Sequence, residues 1–149
     1  MSIAVGLGLS DYPFSSSDFF WDWVDICEAG GVDSLWQTDR IVSRNPILET
    51  VTTMAAIAGA TRRIKFGMNV VSLGLRDPLL LAKQCATIDV LSQGRLLPAF
   101  GVGNIRAPEW KATSLPTKGR GQRTNEGLHI LGRLWTEDEV TFQGRFYTY

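Results

Sequence analysis

Hydrophobic positions along the chain change period in a regular way. IAVGLGL at 3–9 is a short apolar run, and in the segment 17–29 Phe20, Trp23, Val24 and Cys27 recur at the three- and four-residue spacing of one helix face. The cluster Ser15, Ser16, Ser17 and Asp18 offers caps for that helix, and Gly30 and Gly31 end it. VDSLWQTD at 32–39 predicts a second strand. Asn45 and Pro46 then predict a helix to about Ala60, with Ile47, Val51, Met54, Ala55 and Ala58 on one face. IKFGMNVVSL at 64–73 predicts a third strand. Asp77 and Pro78 repeat the start signal for a helix that carries Leu80, Leu81, Gln84, Cys85, Ile88 and Leu91 inward and stops at Gly94. RLLPAFGVG at 95–103 predicts a fourth strand, although Pro98 has no N–H for a central ladder and moves its effective start to Ala99. A last helix is expected near 120–135, with Leu128, Leu131, Leu134 and Trp135 inward, and the alternation in VTFQGRFYTY predicts a hairpin.

Strand starts near 3, 32, 64 and 95 recur about every 30 residues, the length of a βα unit feeding a parallel sheet. The fold class is therefore α/β. Periodicity leaves two architectures open. A doubly wound open sheet of four or five strands suits 149 residues, whereas a closed (β/α)8 barrel needs about 250 residues for its eight units. Length alone favours the open sheet.

Composition narrows the partners. With 15 basic against 15 acidic residues there is no global field to draw nucleic acid or an acidic membrane surface, so a small molecule is the expected ligand. No apolar run approaches the roughly 18 residues of a membrane span, and the start lacks a basic stretch ahead of its apolar residues, which predicts a cytoplasmic protein. Cys27 and Cys85 match no zinc or redox spacing and are expected as free core thiols. His129, the only histidine, lies mid-helix with no second ligand at a suitable spacing, so no metal site is expected.

An ordered series of motifs carries more than any one of them. GGVDSLWQTDR at 30–40, NPILETVTTMAAIAGATRRIKFGMNV at 45–70 and DPLLLAKQCATIDVLSQGRLLPAFGVG at 77–103 are followed by PEW at 108–110, RGQRTNEGLHILGRLW at 120–135 and VTFQGRFY at 140–147. The series resembles the bacterial luciferase-like family of flavin- or deazaflavin-dependent oxidoreductases across nearly the whole chain. The resemblance implies that 1–149 forms one incomplete domain, the N-terminal half of a TIM-type (β/α)8 barrel with about four βα units and a terminal hairpin. It also implies FMN or coenzyme F420 as cofactor, used for hydride transfer or oxygen activation on a small organic substrate. The partner is then a second copy or another chain that completes the barrel. A different class of reading is a non-catalytic half-barrel module that must pair with another chain.

Barrel active sites lie at the C-terminal ends of the strands, which points to Asp39, Asn69 with Val70, and Gly101, Val102 and Gly103 as cofactor contacts. Gly101 and Gly103 lack a Cβ and so offer a flat ring close approach to the backbone, or else relieve crowding at a strand end. Without GxGxxG and a following helix, GVG does not make a dinucleotide fingerprint. Asp39 is costly at an apolar strand end unless it meets a ligand or a cation, Arg40 and Arg44 being the nearby candidates. By resemblance Asp39 lies beside the cofactor ring as a catalytic residue together with Arg40. Many relatives carry histidine where this chain has Arg40, and a guanidinium stays protonated, so Arg40 is no general base but can hold an anion. Glu109 and Trp110 either anchor a loop or touch substrate, and Arg123 with Glu126 is expected as a surface ion pair. The resemblance further implies a non-proline cis peptide between Asn69 and Val70. The loops that grip a flavin phosphate in such barrels follow strands seven and eight, beyond these four units.

Overall fold

The computed structural model describes residues 3–149. The chain runs β1 (Gly6–Leu9), α1 (Ser17–Ala29), β2 (Ser34–Gln37), α2 (Thr50–Ala60), β3 (Lys65–Met68), β4 (Val71–Ser72), a 3-10 turn at Leu73–Leu75, α3 (Pro78–Ser92), β5 (Leu96–Leu97), β6 (Phe100–Gly101), α4 (Glu109–Ala112) and α5 (Arg120–Leu134). The strands β1, β2, β3 and β5 form one parallel sheet in that sequential order, with Gly8 opposite Trp36, Trp36 opposite Gly67, and Phe66 opposite Leu96. The last two predicted strands are each split. The Asn69–Val70 peptide, which is cis, ends β3 before β4, and Pro98 ends β5 before β6. β4 and β6 then pair in parallel as a short second sheet at the same ends. Pro98 thus interrupts the fourth strand rather than starting it, and Leu96 and Leu97 still join the main ladder.

The alternation along the strands separates two faces. Leu35, Phe66 and Met68 are almost wholly buried in one core with Val24, Met54, Ile57, Leu81, Ile88 and Leu131 from the helices. Ser34, Trp36 and Gly67 point the other way, where Gly67 leaves room for the Trp36 ring and the Leu97 carbonyl. One cation sits inside the core's lower edge. Arg95 donates to the carbonyls of Ala58, Thr61, Ile64 and Ser92 and to Thr61 Oγ1, and lies 5.2 Å from the Phe66 ring centre. It satisfies the carbonyl groups that the ends of α2 and α3 would otherwise leave unpaired.

The inward faces differ from the predicted ones in particular residues. On α2, Ile57 rather than Ala55 is buried; on α3, Ala82 and Ser92 replace Leu80 and Leu91, which are exposed. On α5 the buried set is Thr124, Gly127, Ile130 and Leu131, so Leu128 and Trp135 lie outward, although Trp135 Nε1 donates to the Ala82 carbonyl. The hairpin at the end of the chain is present as backbone bonds between Phe142 and Tyr149 and between Gly144 and Tyr147. Glu126 accepts from the amides of Arg145 and Phe146 in this hairpin, and Arg123 lies over the Phe146 ring, so the expected Arg123–Glu126 pair does not form. No helix of the described residues is long and apolar enough to cross a membrane.

Candidate active site

The carboxyl ends of the strands converge on one cluster. The Asn69 amide donates to the Gln37 carbonyl at 2.8 Å, which ties the end of β3 to the end of β2. Ser72 pairs with Gly101 across β4 and β6, and the Ser72 amide donates to Asp39 Oδ2 at 3.1 Å. Asp39, Asn69, Val70, Gly101, Val102 and Gly103 are thereby brought to the same end of the sheet. A Cβ on Gly101 would lie 2.6 Å from Val70 Cγ2, and one on Gly103 would lie 3.1 Å from Ser72 Oγ and 3.2 Å from Trp110 Cζ2. The space that these two glycines leave is taken by the chain's own side chains. Gly103 also has φ +76, a conformation that side chains with a Cβ rarely adopt. Asn69, Val70 and Val102 are exposed at this end.

Asp39 is buried, and its partner is neither Arg40 nor Arg44. Arg76, 37 residues away, donates to Asp39 Oδ1 at 2.6 Å and also reaches Glu49 Oε1 at 2.8 Å. Burial alone would lower the Arg76 pKa, but the two carboxylates outweigh it and hold it above its ordinary value. Burial likewise pushes Glu49 up, and the hydrogen bonds from Thr52 and the charge of Arg76 bring it below the ordinary carboxylate value. Arg40 is half-exposed and lies 3.8 Å from Glu109 Oε1, while Glu109 itself is buried and its Oε2 has no hydrogen-bond partner among the described residues. Trp110 is buried and donates from Nε1 to the Asn104 carbonyl, so this aromatic anchors the loop after β6. His129 is exposed on α5, 5.8 Å from the Phe142 ring. Cys27 and Cys85 are free and buried, and burial pushes the Cys85 thiol up to about 11.

A hollow of about 210 Å³ opens beside this cluster, lined by Gly8, Leu9, Ser10, Trp36, Thr38 and Asn69. Of these only Asn69 was expected at the site. The others come from the first two strands, where the alternation of Gly6 and Gly8 in GLGL was the available signal. A Cβ on Gly8 would meet nothing closer than 3.8 Å, so hydrogen at this position keeps the hollow open rather than avoiding a clash. Its lining combines a glycine, an aromatic edge and the polar groups of Ser10, Thr38 and Asn69, which suits a flat heteroaromatic ring bearing carbonyl and N–H groups.

Comparison with known proteins gives the family and the fold. The profile of the luciferase-like monooxygenase family matches residues 6–149. An F420-dependent glucose-6-phosphate dehydrogenase of Amycolatopsis mediterranei is 28% identical over 156 aligned positions, covering 97% of this chain and 45% of the relative. The crystal structure of monooxygenase RslO1 from Streptomyces bottropensis superposes with a TM-score of 0.85 at 25% identity, over 100% of this chain and 47% of that one. The oxygenating constituent of 3,6-diketocamphane monooxygenase from Pseudomonas putida, a type II Baeyer-Villiger monooxygenase solved with FMN, has a TM-score of 0.84 at 20% identity over 100% of this chain and 44% of that one. The chain thus spans less than half the length of each of these proteins. Its four sequential βα units correspond to half of a TIM-type barrel, and the chain belongs to the luciferase-like monooxygenase family.

Proposed function

We propose that this chain forms the ring-binding part of an oxidoreductase that uses reduced FMN or coenzyme F420 to act on a small organic substrate. The observation that carries the reading is the convergence of Asp39, Asn69 with Val70, and the Gly101–Gly103 segment beside the hollow at Gly8, Trp36 and Thr38. The bound cofactor supplies hydride transfer or oxygen activation. The chain's own groups bind and orient. Asn69, Ser10 and Thr38 offer hydrogen bonds to ring edges, and Val70 and Val102 present exposed apolar surface next to them. Asp39, held by Arg76 and the Ser72 amide, sets where the backbone of β4 stands and has lone pairs left to accept a hydrogen bond from the ring. Arg40 stays cationic and so holds negative charge at the mouth rather than moving a proton. A cytoplasmic setting belongs to the same proposal.

Fluorescence titration with FMN and, separately, F420 tests this. One of the two is expected to bind saturably, and Gly8→Val, which fills the hollow, is expected to weaken it about tenfold, equivalent to about 1.4 kcal/mol. No saturable binding of either cofactor, or unchanged binding by Gly8→Val, would defeat the proposal. A non-catalytic half-barrel that pairs with another chain is the second reading, favoured by exposed apolar residues beside the outer strands, among them Val5 at 52% just before β1 and Val90 at 76% on α3, which lines a hollow with Leu96 of β5. That pairing is compatible with cofactor binding; absence of binding together with pairing would leave this second reading alone.

A further inference from the structure

A second hollow adjoins the first. It encloses about 370 Å³, and its lining includes Ser10, Asp11, Thr38, Arg40, Arg44 and Asn45. Ser10 and Thr38 also line the hollow beside Trp36 and Asn69, so the two recesses share a wall. Both arginines of this recess lack a short ion pair. Arg76 and Arg133 clamp carboxylates at 2.6–2.8 Å, whereas Arg40 reaches Glu109 only at 3.8 Å and Arg44 has no ion-pair partner among the described residues. The acids nearby are Asp11, whose Oδ1 takes a 3.4 Å contact from Asn45 Nδ2, and Glu109, whose buried Oε2 is unpaired among the described residues. Neither closes on the guanidinium groups as a short ion pair.

We propose that this recess binds an oxoanion group of the substrate, a carboxylate or a phosphate, through Arg40 and Arg44. A guanidinium offers a planar fork of N–H donors that matches either group, and two forks in one recess can share its oxygens. The Ser10 hydroxyl supplies a neutral donor, and Asp11 on the rim supplies an acceptor suited to a hydroxyl of the same ligand. The inference rests on the reading of the neighbouring hollow as the ring site: an anion held here places the adjoining carbons across the Ser10 and Thr38 wall, next to the ring. It also gives Arg40 a task that a proton-handling residue at this position would not perform.

The full chain is titrated with inorganic phosphate and, in a separate arm, with acetate, at constant ionic strength, while the arginine Nε–H cross-peaks are followed by NMR. One probe or both should shift two arginine peaks saturably, and the peaks should be those missing from Arg40→Gln and Arg44→Gln. Each of these variants should lose roughly tenfold or more in apparent affinity. Arg106→Gln, an exposed site outside the recess, should bind as the parent does. The arm that saturates distinguishes phosphate from carboxylate. Absence of saturation in both arms, or a double variant that binds like the parent, overturns the inference. Cofactor quenching is read on the same sample. Quenching without anion binding overturns the recess and leaves the ring site, and anion binding without quenching supports the recess and removes the ring reading.

Discussion

Trp36 crosses the face of the sheet opposite the helices because glycine stands beneath it. A Cβ on Gly67 would lie 2.8 Å from Trp36 Cζ3 and would also run into the Leu97 carbonyl, which is backbone and cannot step aside. Gly67→Ala is therefore expected to destabilise by about 1–3 kcal/mol through overpacking. At this chain length that lowers Tm by roughly 2–10 °C in a calorimetric scan. Gly132 on α5 is the contrasting site, since nothing lies within 4 Å of its Cβ position and its backbone is helical. Gly132→Ala should raise stability by about 0.4–1 kcal/mol by restricting the unfolded chain. An unchanged Tm for Gly67→Ala would show that the Trp36 ring and Leu97 move at little cost. At this scale the candidate site was legible where a residue closes a strand, as Asp39, Asn69 and Gly101 do. It was not legible where two side chains meet only after folding. Arg76 reaches Asp39 across 37 residues, and no local signal distinguishes it from Arg40 or Arg44 as the partner. The same holds for Gly101, whose missing Cβ is occupied by Val70, a neighbour that only the pairing of β4 with β6 supplies.

Helix starts show how one sequence signal can succeed once and fail once. Asp77 and Pro78 begin α3 as expected, with Asp77 Oδ1 accepting from the Leu80 amide at 2.9 Å. Asn45 and Pro46 carry the same signal, yet α2 begins only at Thr50. The intervening segment is held outside the helix from two sides. The Pro46 carbonyl accepts from the Tyr12 amide, and the Leu48 carbonyl accepts from Gln37 Nε2. Glu49 then caps α2 by accepting from the Thr52 amide at 2.7 Å, while its other oxygen meets Arg76. The local signal was sound, and long-range hydrogen bonds overrode it. Because Glu49 carries a lowered pKa in the fold, its charge contributes stability above the ordinary value of 4.5, and that contribution is lost as pH falls through the lower folded value. Glu49→Gln keeps an oxygen for the cap and removes the charge. Its Tm should lie below the parent's at pH 7 by about 1–3 °C, given that the carboxylate is partly exposed. The two curves should converge as pH falls through the lowered Glu49 value. Parallel curves across the whole range would mean that the Glu49 charge, with its Thr52 and Arg76 partners, adds nothing to stability.

At the scale of the molecule, periodicity made the parallel order of the four units readable, and the architecture became readable only through the ordered motif series. A βα period of about 30 residues is common to open sheets and closed barrels, because closure depends on strand tilt and inner-face packing rather than on any one unit. The ordered motif series pointed to the barrel where length pointed to the open sheet, and the superposition on a longer monooxygenase at a TM-score of 0.85 agrees with the motifs. Among the described residues, each outer strand of the main sheet, β1 and β5, has a neighbour on one side only. Beside β1, Ile3, Val5 and Leu7 are exposed, with Phe19 and Ile26 outward on α1. Beside β5 lies a mainly apolar hollow of about 400 Å³, lined by Cys85, Ala86, Asp89, Val90, Leu96, Pro98 and Trp135. Open strand edges and contiguous apolar surface both favour association, since each removes unpaired backbone groups or apolar area from water. Sedimentation velocity on the 149-residue chain should therefore detect species heavier than the 16.5 kDa monomer, with a population that grows with concentration. Val90 borders the hollow and is 76% exposed, so Val90→Lys puts a charge on that edge without entering the core. The variant should shift the distribution toward monomer while its circular dichroism stays that of the parent. A parent chain that remains a single monomeric species at about 100 μM, far above the concentrations at which stable apolar interfaces assemble, would remove the sheet edges as association surfaces.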